Sequence, residues 1–125
     1  MVTILAILEL GYESTFEHLA FRQLRGAYHC GLVCVGHDVE TFEEGLDSVT
    51  GTLVYMVPPG RVESSTEFAD FVLPDGDVVF CFGSPQDSMV KHVGEDVALH
   101  ITTPGDADMM AVTVAGIVME RHGVH

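Results

Sequence analysis

Positive charge is scarce in this chain. Arg22, Arg25, Arg61, Lys91 and Arg121 are its whole basic stock against nineteen acids, a net charge of −14 over 125 residues. Nucleic-acid binders neutralise phosphates with lysine and arginine, so this balance disfavours an extended RNA surface; any RNA contact has to be local or helped by a basic partner. The same acidity keeps a hydrophobic chain soluble. Cysteine is sparse too. Cys30, Cys34 and Cys81 are an odd number, each set in an apolar run, and they read as reduced core thiols. No paired Cys or His stand at the short loop spacings of a zinc site, so no metal is expected. A membrane-spanning run is missing as well. Met1 to Leu8 is apolar but short, has no basic flank and meets Glu9 at once, which makes it a buried strand of a soluble, cytoplasmic protein rather than a signal peptide or a span. Repeats, low-complexity tracts and linkers are absent, and the length suits one domain over residues 1–125.

Two catalytic signatures are also lacking. The first strand is not followed by the glycine pattern of dinucleotide-binding folds. Ser84 stands in Phe-Gly-Ser-Pro, not in a Gly-x-Ser-x-Gly elbow, and no acid and histidine follow in an order that would make it a hydrolase nucleophile.

What is present is alternation. With 47% hydrophobic residues, continuous apolar runs, the mark of strands buried on both faces, are separated by segments with helix-start chemistry. Val2 to Leu8 is the first strand. Ser14-Thr-Phe-Glu17 has capping-box spacing and predicts a helix over 14–25, with Phe16, Leu19, Ala20 and Leu24 on one core-facing stripe. Leu32 to Val35 is a second strand, and Thr41-Phe-Glu-Glu44 opens a short helix ending near Asp47. Thr52 to Val57 is a third strand, stopped by Pro58-Pro59-Gly60. Ser64 to Glu67 starts a brief helix under Phe68 and Phe71. Val78 to Phe82 is the most apolar strand, and Ser84-Pro85-Gln86-Asp87 after it reads as a helix start with hydroxyl, proline and acid in the favoured places. Val97 to Ile101 is the last strand. A helix over 106–122, capped by Asp106, is apolar almost all round, through Met109, Met110, Val112, Val114, Ile117, Val118 and Met119. A surface helix of a monomer would have a polar face, so this one is expected between the sheet and a second subunit.

The pattern predicts an α/β fold: a mostly parallel sheet of five or six strands with helices on both faces. Ligands of such sheets bind at the carboxyl ends of strands. Three loops there are short and rich in glycine and proline, letting backbone approach a ligand closely: Val57-Pro58-Pro59-Gly60, Gly83-Ser84-Pro85 and Thr102-Thr103-Pro104-Gly105. Glycine and proline also end strands for structural reasons alone. An adenine ring in such a slot would be read by backbone groups and sandwiched by side chains such as Ile101 and Met109. His29, Glu13 and Asp108 are candidate bases. His18, His92, His100, His122 and His125 read as structural or surface residues.

From residue 78 to 120 the chain resembles the SPOUT methyltransferases that act on RNA ribose. Their strand ends in phenylalanine-glycine-serine-glutamate, with glycine-leucine three residues on; here stand Phe82-Gly83-Ser84-Pro85 and then Ser88-Met89. Their next loop carries isoleucine and proline, as Ile101 and Pro104 do here. Their last helix opens with serine-leucine-asparagine-valine and runs into glycine-isoleucine; Asp108-Met109-Met110-Ala111 and Gly116-Ile117 follow the same spacing without a gap. Order alone extends the resemblance over nearly the whole chain. The resemblance implies a C-terminal trefoil knot, a homodimer through the 106–122 helix, and S-adenosylmethionine held by Val57, Pro58, Gly60, Phe82, Gly83, Ser84, Ile101, Thr103, Pro104, Met109 and Met110. It implies ribose 2′-O-methylation of RNA as the nearest chemistry. The family's first-helix asparagine and arginine fall near Ser14 and Ala20, and Arg22, two residues on, is the candidate catalytic residue in the arginine's place. Pro85 replaces the family glutamate and Met110 the helix asparagine. Those losses favour an alternative, a diverged, non-catalytic homodimer that serves as a binding or structural module. An unrelated flavodoxin-like binding domain is a third reading.

Overall fold

The computed structural model describes residues 1–8, 12–85, 87–105 and 109–122, the side chains of 12–14 excepted. Six strands form one sheet: β1 (Val2–Ile7), β2 (Gly31–Val35), β3 (Thr52–Met56), β4 (Thr66–Glu67), β5 (Val78–Phe82) and β6 (Val97–His100), in the order β2-β1-β5-β3-β6-β4. Every pairing is parallel. Three helices accompany it, α1 (Tyr12–Tyr28), α2 (Phe42–Ser48) and α3 (Ala111–His122), with short 3-10 turns at Phe68–Asp70 and Met89–Lys91.

The apolar runs are continuous because the inner strands are covered on both faces. All five residues of β5 are buried. Val78, Phe80 and Phe82 join Ile4, Ala6 and Val54 on one face, under Phe21 and Leu24 of α1 and Ala115, Val118 and Met119 of α3. Val79 and Cys81 turn the other way with Leu5 and Tyr55, under Phe42 and Leu46 of α2 and Met89 and Val93 of the segment after β5. All three cysteines are free and buried. Burial pushes the Cys34 and Cys81 thiols up to about 12, so they behave as inert core residues.

Several local expectations are corrected. Helix α1 is described from Tyr12, so Ser14 lies inside it and not at its cap. Its core stripe is Phe21, Leu24 and Tyr28; Phe21 is fully buried, while Phe16 and Leu19 are 59% and 49% exposed. Phe21 decides the phase by packing on Phe82, with ring centroids 6.2 Å apart. The helix start at Ser84 is used for a tight turn, and among the described residues between it and β6 the helical turn is the 3-10 turn capped by Ser88, whose hydroxyl accepts from the Val90 amide. Thr66 and Glu67 form β4, and the brief helix expected there is the 3-10 turn Phe68–Asp70 that follows, with Glu67 at its N-cap position. Asp106 lies outside the described residues; α3 is described from Ala111, with the Met110 carbonyl accepting from Thr113 and Val114. No described helix is long and apolar enough to cross a membrane.

Candidate functional site

The loops singled out in the sequence leave the carboxyl ends of β3, β5 and β6. In the sheet these strands are neighbours, in the order β5-β3-β6, so residues 57–60, 83–85 and 102–105 emerge side by side. The first loop is set by the Val57 amide, which donates to the Leu99 carbonyl at 2.8 Å and carries the β3–β6 pairing one residue further. It then turns over Pro58-Pro59-Gly60-Arg61, closed by the Arg61 amide on the Pro58 carbonyl. Gly60 has φ +75°, the positive value a type II turn requires at its third position.

The second loop is closed on itself. The Ser84 amide donates to the Asp87 carbonyl at 3.0 Å, and the Asp87 amide donates back to the Ser84 carbonyl and hydroxyl, both at 3.1 Å. A Cβ on Gly83 would meet the Asp87 carbonyl oxygen at 2.5 Å and the Met89 nitrogen at 2.9 Å. Glycine at 83 is therefore demanded by the turn itself, whatever lies outside it. Phe82 is core against Phe21 and Val57 is buried, so both support the loops from beneath. Pro58, Pro104 and Met110 are exposed, and Ile101, Thr103 and Met109 half-buried.

The third loop is anchored to the sheet edge. Thr102 donates from its hydroxyl to Glu67 Oε2 at 2.6 Å and from its amide to Oε1 at 3.2 Å. Glu67 also takes His100 Nε2 at 2.9 Å, and His100 Nδ1 meets Ser65 Oγ at 2.8 Å. Hydrogen bonds from Thr102, with a smaller contribution from His100, hold the Glu67 carboxyl below its ordinary value. None of these partners is adjacent in sequence. Only the pairing of Thr66 with Leu99 and of Glu67 with His100 brings them together.

A cavity of about 360 Å³ lies elsewhere, at the carboxyl ends of β1 and β2, with Ile7, Leu8, Val35 and Phe42 as apolar walls and Glu40, Glu43, Asp87 and His92 among its polar lining. The chain leaves β1 toward β2 and leaves β5 toward β6, in opposite directions along the sheet, which makes this end of β1 and β5 the topological switch point. Asp87 binds Lys91 Nζ at 2.9 Å and His92 Nε2 at 2.8 Å. Burial alone would raise its pKa; the bonds from Lys91 and His92 outweigh that and lower it. Nothing in the sequence marks this cavity, since Glu40 and Asp87 carry no motif and come from separate segments that only the sheet order brings together.

Arg22 is not at the three loops. It lies on the exposed side of α1, lining a surface depression with Leu19, Gln23 and Arg25. His29 ends α1 with φ 52°, and Asp108 and the Glu13 side chain lie outside what is described. Among the described residues no group of three or more His, Cys, Asp or Glu could hold a metal ion. No family model, curated protein or solved structure matches this chain.

Proposed function

We propose that this chain is a SPOUT-like protein that binds S-adenosylmethionine across the loops after β3, β5 and β6 and works as a homodimer through the 106–122 helix, with the ribose 2′-oxygen of RNA as the nearest family acceptor. The observation that carries this reading is the adjacency of the three loops. Residues chosen along the chain for short, glycine- and proline-rich loops leave three neighbouring parallel strands at the same end, where α/β sheets take ligands. The C-terminal trefoil knot belongs to the same proposal. In its favour, the connection from β3 to β5 runs out to β4 and returns through Phe68 and Phe71 across the face that α3 packs against, and Arg121 of α3 donates to the Phe68 and Ala69 carbonyls, both at 3.1 Å.

Methyl transfer asks the protein chiefly to orient two reactants and remove the acceptor's proton. The loops would orient the cofactor through backbone groups, with Ile101 and Met109 beside the adenine. Arg22 would serve the acceptor only from the partner subunit, since within one chain it stands away from the loops. The alternative, a non-catalytic binding module, is favoured by one specific observation. Of five cations, Arg121 is committed to the 68–69 backbone and Lys91 to Asp87, leaving little for phosphates on a chain of −14.

The test is calorimetric titration with S-adenosylmethionine and S-adenosylhomocysteine, repeated on Gly105→Val. Among the described residues a Cβ at Gly105 meets nothing within 4 Å, and its φ is not in the positive range, so the substitution is expected to spare the fold and to intrude on what sits in the loops. Saturable heat that Gly105→Val weakens about tenfold or more, roughly 1.4 kcal/mol, supports the cofactor site. Absence of heat at millimolar ligand removes it and leaves the non-catalytic module.

A further inference from the structure

We propose that Ser65, His100 and Glu67 form a nucleophilic triad at the β4–β6 edge, with Ser65 the acyl acceptor toward short, neutral or cationic esters. A serine hydroxyl within hydrogen-bond reach of a base, itself oriented by a third group, is the signature of an activated nucleophile, and it is recognised by geometry and role rather than by order in the chain. Here the two links are 2.8 Å and 2.9 Å.

The proton positions follow from the partners. Ionised Glu67 can only accept, so Nε2 of the neutral His100 ring carries the hydrogen that lies between them, and Nδ1 is left with a lone pair. The Ser65 hydroxyl therefore points its hydrogen at Nδ1, the arrangement in which the imidazole takes the proton as the oxygen attacks. Glu67 is itself fixed by the two bonds from Thr102, so the orienting group is held from the opposite side. Ser65 is placed by its amide N–H, which donates to the Val62 carbonyl at 3.2 Å, and Val62 packs against the core on the α2 side of the sheet.

Access is also present. Strand β4 is the edge of the sheet, Ser65 is half-buried, and the side chains of His100 and Glu67 are 18% and 29% exposed. In the reaction Ser65 Oγ bonds to the ester carbonyl carbon and its proton passes to His100 Nδ1. The imidazolium returns that proton to the leaving alkoxide as the C–O bond breaks, giving acyl-Ser65 and an alcohol. Water, deprotonated by His100, then releases the acid and restores the hydroxyl. The strong negative charge repels anionic acyl groups, hence neutral or cationic esters.

The rival is a polar clasp that merely fastens a two-residue strand to β6. A clasp does not make Ser65 more reactive than its neighbour, and Ser64, exposed and one residue away, is an internal control. Purified protein is treated with a fluorophosphonate, which forms an Oγ–P bond and expels fluoride with the serine proton, and the modified peptide is mapped by mass spectrometry. Ser65 is expected to react about a hundredfold faster than Ser64, the lower end of what a positioned base contributes. His100→Gln should reduce Ser65 to the Ser64 rate and Glu67→Gln should slow it by about tenfold, with unchanged circular dichroism. Should either variant unfold, the wild-type rate against pH decides: a single ionisation that Ser64 lacks supports the triad. Equal labelling of the two serines overturns it. No S-adenosylmethionine enters the experiment, so its outcome is independent of the cofactor proposal.

Discussion

His122 presents its ring to three phenylalanines, with centroids 5.5 Å from Phe68, 5.6 Å from Phe71 and 6.2 Å from Phe80. Its Nε2 is buried without a hydrogen-bond partner among the described residues. Burial lowers its pKa from 6.5, and the charge of Arg121 adds to the effect; the guanidinium of Arg121 lies over Phe68, 5.0 Å from the centroid. A histidine held neutral in the fold binds its proton less readily than in the unfolded chain. Its contribution to stability is therefore complete above about pH 6.5 and is lost as pH falls from there toward the folded value. Glu67, also lowered but from 4.5, makes a contribution that begins to be lost only below about pH 4.5. We expect His122→Leu, which removes the orphaned nitrogen from among the rings, to gain about 1 kcal/mol at pH 7.5 and to flatten the decline between pH 6.5 and 5.5. Urea unfolding at the two ends of that range is the measurement. A variant as pH-sensitive as the wild type would show that the slope has another source.

At the scale of elements, one local signal had three outcomes. Thr41 caps α2, its hydroxyl accepting from the Glu44 amide at 3.1 Å, and Thr41→Ala is expected to cost about 1 kcal/mol in denaturant unfolding; a change within error would mean the short helix is held by Phe42 and Leu46 alone. Ser14 shows the same spacing but falls inside α1, and Ser84 caps a turn because Gly83 lets the Asp87 backbone close against it. Capping chemistry is a property of a few consecutive residues, so it announces that the chain bends or coils without saying how far. Strands were easier to read. The ends of β1, β5 and β6 fall within about one residue of the apolar runs, since burial on both faces leaves no alternation to misread. The loops of the cofactor proposal were legible for the same reason, as they simply follow those strands. The Ser65, His100 and Glu67 set was not. It depends on β4, two residues long, pairing with β6 across about thirty intervening positions, and no periodicity can be carried by two residues.

The molecule as a whole sets apolar surface against charge. Helices α1 and α3 pack side by side, tied by the Tyr28 hydroxyl donating to Glu120 Oε2 at 2.6 Å. They turn outward Phe16, Leu19 and Ile117, which are 59%, 49% and 38% exposed, and Met110, just before α3, is 60% exposed. Met110 and Ile117 are therefore the side chains of the 109–122 segment from which a second subunit would exclude water in the proposed homodimer, while each subunit brings −14 to the contact. Hydrophobic burial favours association and like charge opposes it, and only the second term is screened by salt, over a Debye length that shrinks from about 14 Å near 50 mM to about 4 Å near 500 mM. The dimer should accordingly tighten as salt rises, the reverse of an interface built on ion pairs. Sedimentation equilibrium across that range decides it, alongside a Met110→Glu/Ile117→Glu double variant that places two further carboxylates per chain on the exposed side of the 109–122 segment. Tightening with salt in the wild type, together with a monomeric variant at every salt concentration, fits association through this face. A wild type that stays monomeric at about 0.1 mM in high salt would remove the homodimer, and with it the route by which Arg22 of one subunit could serve the loops of the other.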